Sequence, residues 1–260
     1  MKSIAIIPAR YASSRFPGKP LADLGGKPVI EWVYTSVRAI DAFDDVVVAT
    51  DDTRIADAVN DFGGKCMMTR PDHKSGTERC GEVVELLASQ GLQFDVVVNV
   101  QGDEPFVNSD QIISLLSAFD HPDASIVTLV KKITSADELH SCNNVKVTAD
   151  LHRKAMYFSR TPIPFIRDCN PSQWHLQHDF YKHVGIYAYR SATLMELVHL
   201  QETSLEQCEK LEQLRWLECG YPIYLIETFS ENVGIDTPDD LIMAREMLKP
   251  GRRILDSPQP

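Results

Sequence analysis

From residue 4 to about residue 130 the chain alternates short apolar, β-branched runs with longer stretches whose apolar residues return at helical spacing. Ile4–Ile7, Val46–Ala49, Lys65–Met68, Asp95–Val100 and Ala124–Val130 read as strands. A strand that is apolar on both faces needs cover on both, which is the setting of a parallel sheet. Between the strands, Val29, Ile30, Val33, Val37 and Ile40 follow Pro28 as one helix face. Ile55, Ala56, Val59 and Phe62 line a second helix, begun by the turn Asp51-Asp52-Thr53 and ended at Gly63. Cys80, Val83, Val84 and Leu87 line a third, opening at Ser75 or Thr77 with Gly91 behind it. A fourth runs from Asn108 or Ser109 through Phe119. Consecutive β-α units predict an α/β fold, with a mainly parallel sheet, right-handed crossovers and helices on both faces. Ligands on such sheets bind beyond the carboxyl ends of the strands, so the residues that leave each strand carry the functional information.

The first strand runs into Pro8-Ala-Arg-Tyr-Ala-Ser-Ser-Arg-Phe-Pro-Gly-Lys-Pro20. Three cations, Arg10, Arg15 and Lys19, fall within ten residues, interleaved with Ser13, Ser14 and Gly18. Backbone N–H groups and cations converging at a strand end form a phosphate cradle. Neither G-x-x-x-x-G-K-[ST] nor G-x-G-x-x-G is present, which argues against a P-loop kinase. A later strand delivers Gln101-Gly-Asp-Glu-Pro105, with Gly102 permitting a sharp turn before the Asp103 carboxylate. Asp236, in Gly234-Ile-Asp-Thr-Pro238, sits at another junction of turn and helix. Two carboxylates meeting at one rim suit one or two Mg²⁺ ions shared with phosphate oxygens. The residue types also fit blander roles, a turn carboxylate for Asp103 and a helix cap for Asp236.

The texture changes after Val145. Short strand candidates, Val145–Thr148, Ala155–Tyr157 and Val184–Tyr189, flank a segment rich in Pro, His and aromatic residues, Thr161 to Tyr181. This predicts an antiparallel insertion over about 145–190, forming a lid or a subunit contact. Phe165, Ile166 and Trp174 are too many apolar groups for an isolated solvated loop. Helical spacing returns at Leu205, Cys208, Leu211, Leu214 and Leu217, and with Leu211, Leu214 and Leu217 facing the core the wet face of that helix is one of two open readings for Glu212 and Gln213. Tyr224–Ile226 is a last strand, and Thr237-Pro-Asp-Asp opens a terminal helix. The expected organisation is one α/β domain over 1–248 and a polar tail over 249–260.

A net charge of -11 argues against nucleic acid or anionic membrane as a partner. It makes the basic loop more telling, because an acidic chain has gathered positive charge at one strand end. Six cysteines without C-x-x-C or Cys/His clustering offer no zinc site and no disulfide framework. They read mostly as buried thiols in a reducing compartment. No apolar run approaches the roughly 18 residues of a membrane span, and no signal-peptide profile opens the chain. Together these predict a cytoplasmic protein.

The basic loop, continuing to Ile30, resembles the signature of the cytidylyltransferases for acidic sugars, most of all those acting on 3-deoxy-D-manno-octulosonate (Kdo). Six further motifs match in order: His73-Lys-Ser-Gly-Thr-Glu-Arg79, Asn99-Val-Gln-Gly-Asp-Glu-Pro105, Phe158-Ser-Arg-Thr-Pro-Ile-Pro164, His183-Val-Gly-Ile-Tyr187, Leu211-Glu-Gln-Leu-Arg215 and Gly234-Ile-Asp-Thr-Pro238. The resemblance covers about residues 3–248. It implies the nucleotide-diphospho-sugar-transferase-like, Rossmann-like architecture and a homodimer. It also implies transfer of CMP from CTP to Kdo with release of pyrophosphate, Mg²⁺ as cofactor, and a product used in lipopolysaccharide assembly.

Carried over residue by residue, the resemblance assigns Arg10, Arg15 and Lys19 to the triphosphate, with Lys19 placed to stabilise charge on the α-phosphate. Asp103 and Asp236 become the magnesium ligands, and Lys19, Arg10 and Asp103 the catalytic set. Ala9, Thr77, Arg79 and Gln101 fall in the nucleotide pocket, although Thr77 equally fits a helix first turn. Arg160 matches the sugar-side motif, where a carboxylate calls for a forked guanidinium. His183, Tyr187, Glu212 and Gln213 line the same pocket in the family. Two other readings stay open. The sugar could be 8-amino-Kdo or an N-acylneuraminate, or the chain could be a silent nucleotide-binding module, which the joint presence of both aspartates and all three cations disfavours.

Overall fold

The computed structural model describes residues 1–13, 15–231 and 233–248. Ser14 of the basic loop and the expected tail over 249–260 lie outside the described residues. Strand β1 (Ser3–Ala9) is buried along nearly its whole length, as its apolar run requires. Next come a hairpin of β2 (Asp23–Leu24) and β3 (Lys27–Pro28), α1 (Val29–Arg38) and β4 (Asp45–Thr50). After these come α2 (Thr53–Asp61), β5 (Cys66–Met68), α3 (Gly76–Ser89), β6 (Val96–Asn99) and α4 (Ser109–Ser117). The chain divides into two compact units, Met1–Asp110 with the stretch from Glu231 onward, and Gln111–Ser230.

In the first unit β1 pairs in parallel with β4 and β6, and β4 with β5. The registers Ala9↔Thr50 and Ile6↔Asn99 bring the exits of three strands to one edge. The helices are amphipathic as expected. Val29, Ile30, Val33 and Val37 of α1 are buried, and Asp52 caps α2 through the Arg54 N–H. The hairpin adds to the expected elements. Gly25 and Gly26 both adopt positive φ, 66° and 90°, and join β2 to β3 in the two-residue turn that a Gly-Gly pair favours.

The second unit adds β7 (Ile126–Lys132), α5 (Ala136–His140), β8 (Lys146–Ala149), β9 (Ala155–Ser159), α6 (Trp174–Gln177), β10 (Tyr181–Arg190), α7 (Ser191–Leu197), α8 (Ser204–Glu209), α9 (Gln213–Glu218) and β11 (Ile223–Glu227). β11 runs parallel to β7, while β10 is antiparallel to β7 and β8, and β8 to β9. The chain then returns to the first unit with α10 (Pro238–Met247).

Three expectations need correction here. The helix expected across Leu205–Leu217 is two helices, broken at Lys210, whose φ of 54° is left-handed. Gln213, the first residue of α9, is buried, which rules out the wet-face reading for it. The break is bridged by a largely buried ion pair in which Arg215 Nε and Nη2 each lie 2.7 Å from a Glu206 carboxylate oxygen. Trp174, expected at a subunit contact, packs in its own unit with Ile133, Leu139 and Phe180, and Ile166 lies against them. All six cysteines carry thiols, but Cys142, Cys208 and Cys219 are exposed. Among the described residues no helix is long and apolar enough to cross a membrane.

Candidate active site

At the strand-exit edge of the first unit a cavity of about 310 Å³ opens. Ala9, Arg10, Arg15, Lys19, Arg79, Gln101, Asp103 and Asp236, eight of the residues singled out from sequence, border it. The centre of the arrangement is Lys19. Its ammonium lies 2.5 Å from Asp103 Oδ2 and 3.2 Å from Asp236 Oδ1, with a side chain only 12% exposed. Arg15 Nη2 reaches the same Asp236 oxygen at 3.1 Å. Arg10 is exposed at the rim.

Each of these side chains has a local cause. Gly18, at φ 73°, caps the short 3₁₀ turn Lys19–Leu21, and its N–H closes the loop on the Tyr11 carbonyl at 2.9 Å. The Asp103 and Asp236 loops are joined directly, since the Ile235 N–H donates to the Asp103 carbonyl at 2.9 Å. Asp236 is not the helix cap. That role falls to Thr237, whose side chain accepts from the Asp240 N–H, and the Asp240 carboxylate accepts in turn from the N–H groups of Asp236 and Thr237. The Asp236 carboxylate is thereby left for Lys19 and Arg15.

The N-terminus of α3 also borders the cavity through Lys74, Ser75 and Gly76. Ser75 is its N-cap and accepts from the Glu78 N–H. A Cβ at Gly76 would come within 3.3 Å of the Pro8 ring, so a small residue lets the helix start close to the end of β1. A helix N-terminus presents N–H groups and a partial positive charge, which suits an anion. Sequence reasoning marks Ser75 as a helix start but not as cavity lining; the Ser75-x-x-Glu78 pattern is its signal.

Thr77 is buried in the first turn of α3 and is not among the cavity's lining residues. Arg79 is buried as well, ion-paired to Asp51 at 3.0 Å and hydrogen-bonded to the Thr69 hydroxyl. Arg79 thus borders the cavity with much of its hydrogen-bonding capacity already engaged.

The sugar-side candidates lie in the second unit. Arg160 donates from Nε to the Glu209 carbonyl at 2.8 Å and from Nη1 to the Cys142 carbonyl at 3.2 Å, and Glu209 Oε2 accepts from the Arg160 N–H. The guanidinium therefore braces the end of β9 against the end of α8. His183 is hydrogen-bonded to the Thr128 hydroxyl at 3.1 Å, with its ring near Phe158 and Tyr187. Burial pulls its pKa down to about 4, so the imidazole is neutral at pH 7. Tyr187 follows a bulge in the pairing of β10 with β7, and its buried hydroxyl makes no hydrogen bond of standard geometry. Burial, then Glu212, raises its pKa. Glu212 is half-buried just ahead of α9.

Among the described residues no group of three or more His, Cys, Asp or Glu is placed to enclose a metal. Two carboxylates gathered around one positive charge fit a hard cation whose remaining ligands are phosphate oxygens and water, the habit of Mg²⁺.

Residues 4–228 match the family described as Cytidylyltransferase. A 3-deoxy-manno-octulosonate cytidylyltransferase of Bacteroides thetaiotaomicron is 52% identical over 253 residues, covering 96% of this chain and 99% of the relative. One from Parabacteroides distasonis is 49% identical over 252 residues, covering 95% and 98%. The solved structure of a CMP:2-keto-3-deoxy-manno-octonic acid synthetase complexed with CTP superposes with a TM-score of 0.85 at 40% identity, covering 95% of this chain and 98% of that one.

Proposed function

The chain belongs to the cytidylyltransferase family, and from that premise we propose that it transfers the cytidylyl group of CTP to 3-deoxy-D-manno-octulosonate, releasing pyrophosphate. The observation that carries the reading is the Lys19 ammonium held between Asp103 and Asp236 in a cavity bordered by Arg10 and Arg15. A triphosphate supplies the anions this cluster lacks, and its α-phosphorus is where new negative charge develops. Lys19 stabilises that charge, while Arg10, Arg15 and the start of α3 orient the polyphosphate. Asp103 and Asp236 would hold Mg²⁺, which when bound supplies Lewis-acid charge to the phosphate oxygens. The sugar hydroxyl attacks in line without a covalent enzyme intermediate; His73, on the cavity border, has its two ring nitrogens turned to Glu78 and Glu82.

Arg160 is proposed for the sugar carboxylate, through N–H groups of its terminal nitrogens that the carbonyl brace does not use. His183, Tyr187, Glu212 and Gln213 are proposed to line the sugar pocket, with neutral His183 acting as a hydrogen-bond partner and not as a proton carrier. The reading extends to a cytoplasmic homodimer whose product feeds lipopolysaccharide assembly. Exposed thiols at Cys142, Cys208 and Cys219 support a reducing compartment. Phe165 and Leu176, 74% and 70% exposed, support a self-contact on the second unit, which sedimentation at micromolar concentration tests.

The test of the reaction is pyrophosphate release with each of the four nucleoside triphosphates, crossed with Kdo, 8-amino-Kdo and N-acetylneuraminate. The reading expects CTP with Kdo to exceed every other pair. Equal turnover with N-acetylneuraminate reassigns the sugar, and no turnover with any pair supports a silent module.

A further inference from the structure

The basic loop has a buttress outside the cluster of charges. Arg54, the second residue of α2, lays its guanidinium over the ring of Tyr11, with the central carbon 3.4 Å from the ring centroid. Arg54 is held by its own N-cap: Nε and Nη2 lie 2.9 and 2.6 Å from the two Asp52 carboxylate oxygens, and its backbone N–H donates to Oδ1 at 3.0 Å. On the Cε2–Cζ–Oη edge of the same ring sits Gly18, where an added Cβ would come within 3.0 Å of all three atoms. Gly18 is tied to Tyr11 a second time by its N–H, and Lys19 comes directly after it. Neither Tyr11 nor Arg54 is among the residues bordering the cavity.

We infer that Tyr11 and Arg54 are positioning residues that fix the backbone at Gly18 and so place the Lys19 ammonium. The inference rests on the reading that Lys19 acts on the phosphate. Gly18, at φ 73°, carries no side chain of its own to hold the loop, so its backbone keeps the freedom that glycine brings. A flat ring clamped against a backbone with no side chain removes that freedom, and a guanidinium stacked on the ring is the stiff partner for it. The bidentate bond to Asp52 neutralises Arg54. Its contribution is therefore the shape and rigidity of the stack, and not a fourth charge for the triphosphate. Misplacing a catalytic group by an ångström costs on the order of a hundredfold in rate. Removing the clamp should thus lower kcat by about tenfold or more, with little effect on the KM for the sugar.

The test is a double-mutant cycle on the full chain, with kcat, both KM values and Tm measured for Arg54→Ala, Lys19→Met and the double variant, alongside Tyr11→Phe and Tyr11→Leu. The inference expects Arg54→Ala to lose about tenfold in kcat in the native background and less than twofold in the Lys19→Met background, because there is then no ammonium to place. Tyr11→Phe keeps the stack and the rate, and Tyr11→Leu loses as much as Arg54→Ala. Equal losses from Arg54→Ala in both backgrounds, or a fully active Tyr11→Leu, overturn the positioning role while leaving the function of Lys19 standing. A Lys19→Met enzyme with unchanged kcat overturns the reading of Lys19 and this inference with it. A fall in Tm that accounts for all lost activity as lost folded protein also overturns it.

Discussion

A Cβ placed on Gly102 would lie 2.6 Å from the carbonyl oxygen of Pro8. The turn that presents Asp103 is therefore pressed against the end of β1, and glycine is required there for space; its φ is not among the left-handed ones. Gly102→Ala cannot be absorbed by a flexible side chain, because the obstacle is backbone. The substitution should destabilise the protein by about 1–3 kcal/mol and shift the Asp103 loop. The expected result is a kcat at least tenfold down in an enzyme that still folds, checked by thermal melting beside steady-state kinetics.

Burial keeps His183 neutral, with a pKa of about 4 against 6.5 for an ordinary histidine. The unfolded chain takes up a proton there between pH 6.5 and about 4 while the folded one does not. Stability from this residue is thus fully present above pH 6.5 and is lost as pH falls toward 4, at no more than about 1.4 kcal/mol per pH unit. Denaturant unfolding of wild type and His183→Gln across that window should show a shallower pH slope in the variant.

Arg160→Lys keeps the charge but loses the fork. The ammonium cannot span the Glu209 and Cys142 carbonyls and also meet a carboxylate in plane. Sugar KM should rise about tenfold or more with CTP KM unchanged, and Tm should fall. A lowered Tm with unaltered sugar affinity would leave Arg160 as a brace only.

The Glu206–Arg215 pair is largely buried, with side chains 10% and 9% exposed. Removing one partner strands the other charge, so Arg215→Leu should cost about 3 kcal/mol, while replacing both with apolar residues recovers most of it. Chemical denaturation of the two single variants and the double variant measures this.

Much of this architecture is legible in the chain, and the reasons are local. Ile4–Ile7 and Val96–Val98 can only be strands covered on both faces, and the loops leaving such strands in a parallel sheet share an edge. Arg10, Lys19, Gln101 and Asp103 therefore fall at one rim on sequence grounds alone. Helix signals at Ser75 and Thr237 hold because caps are short-range chemistry. Pairings that depend on the third dimension are not legible. Nothing at Tyr11 announces Arg54, and nothing in the spacing of Leu205–Leu217 announces a left-handed Lys210 or an ion pair across it. Trp174 misleads because composition shows an apolar surplus but not the cluster that absorbs it. The Gly25-Gly26 hairpin is the exception, a turn whose signal stands in the sequence itself.

The most direct test of metal-assisted cytidylyl transfer at this site is the Asp103→Asn enzyme at saturating Mg²⁺ and CTP, with pyrophosphate release and thermal stability measured together. The amide keeps the size of the carboxylate and the backbone bond to Ile235, but it removes the charge that faces Lys19 and would face the metal. The account predicts a fall in kcat of at least about a hundredfold, several kcal/mol of lost transition-state stabilisation, in a protein that melts close to wild type. A folded Asp103→Asn enzyme turning over within about tenfold of wild type would contradict it.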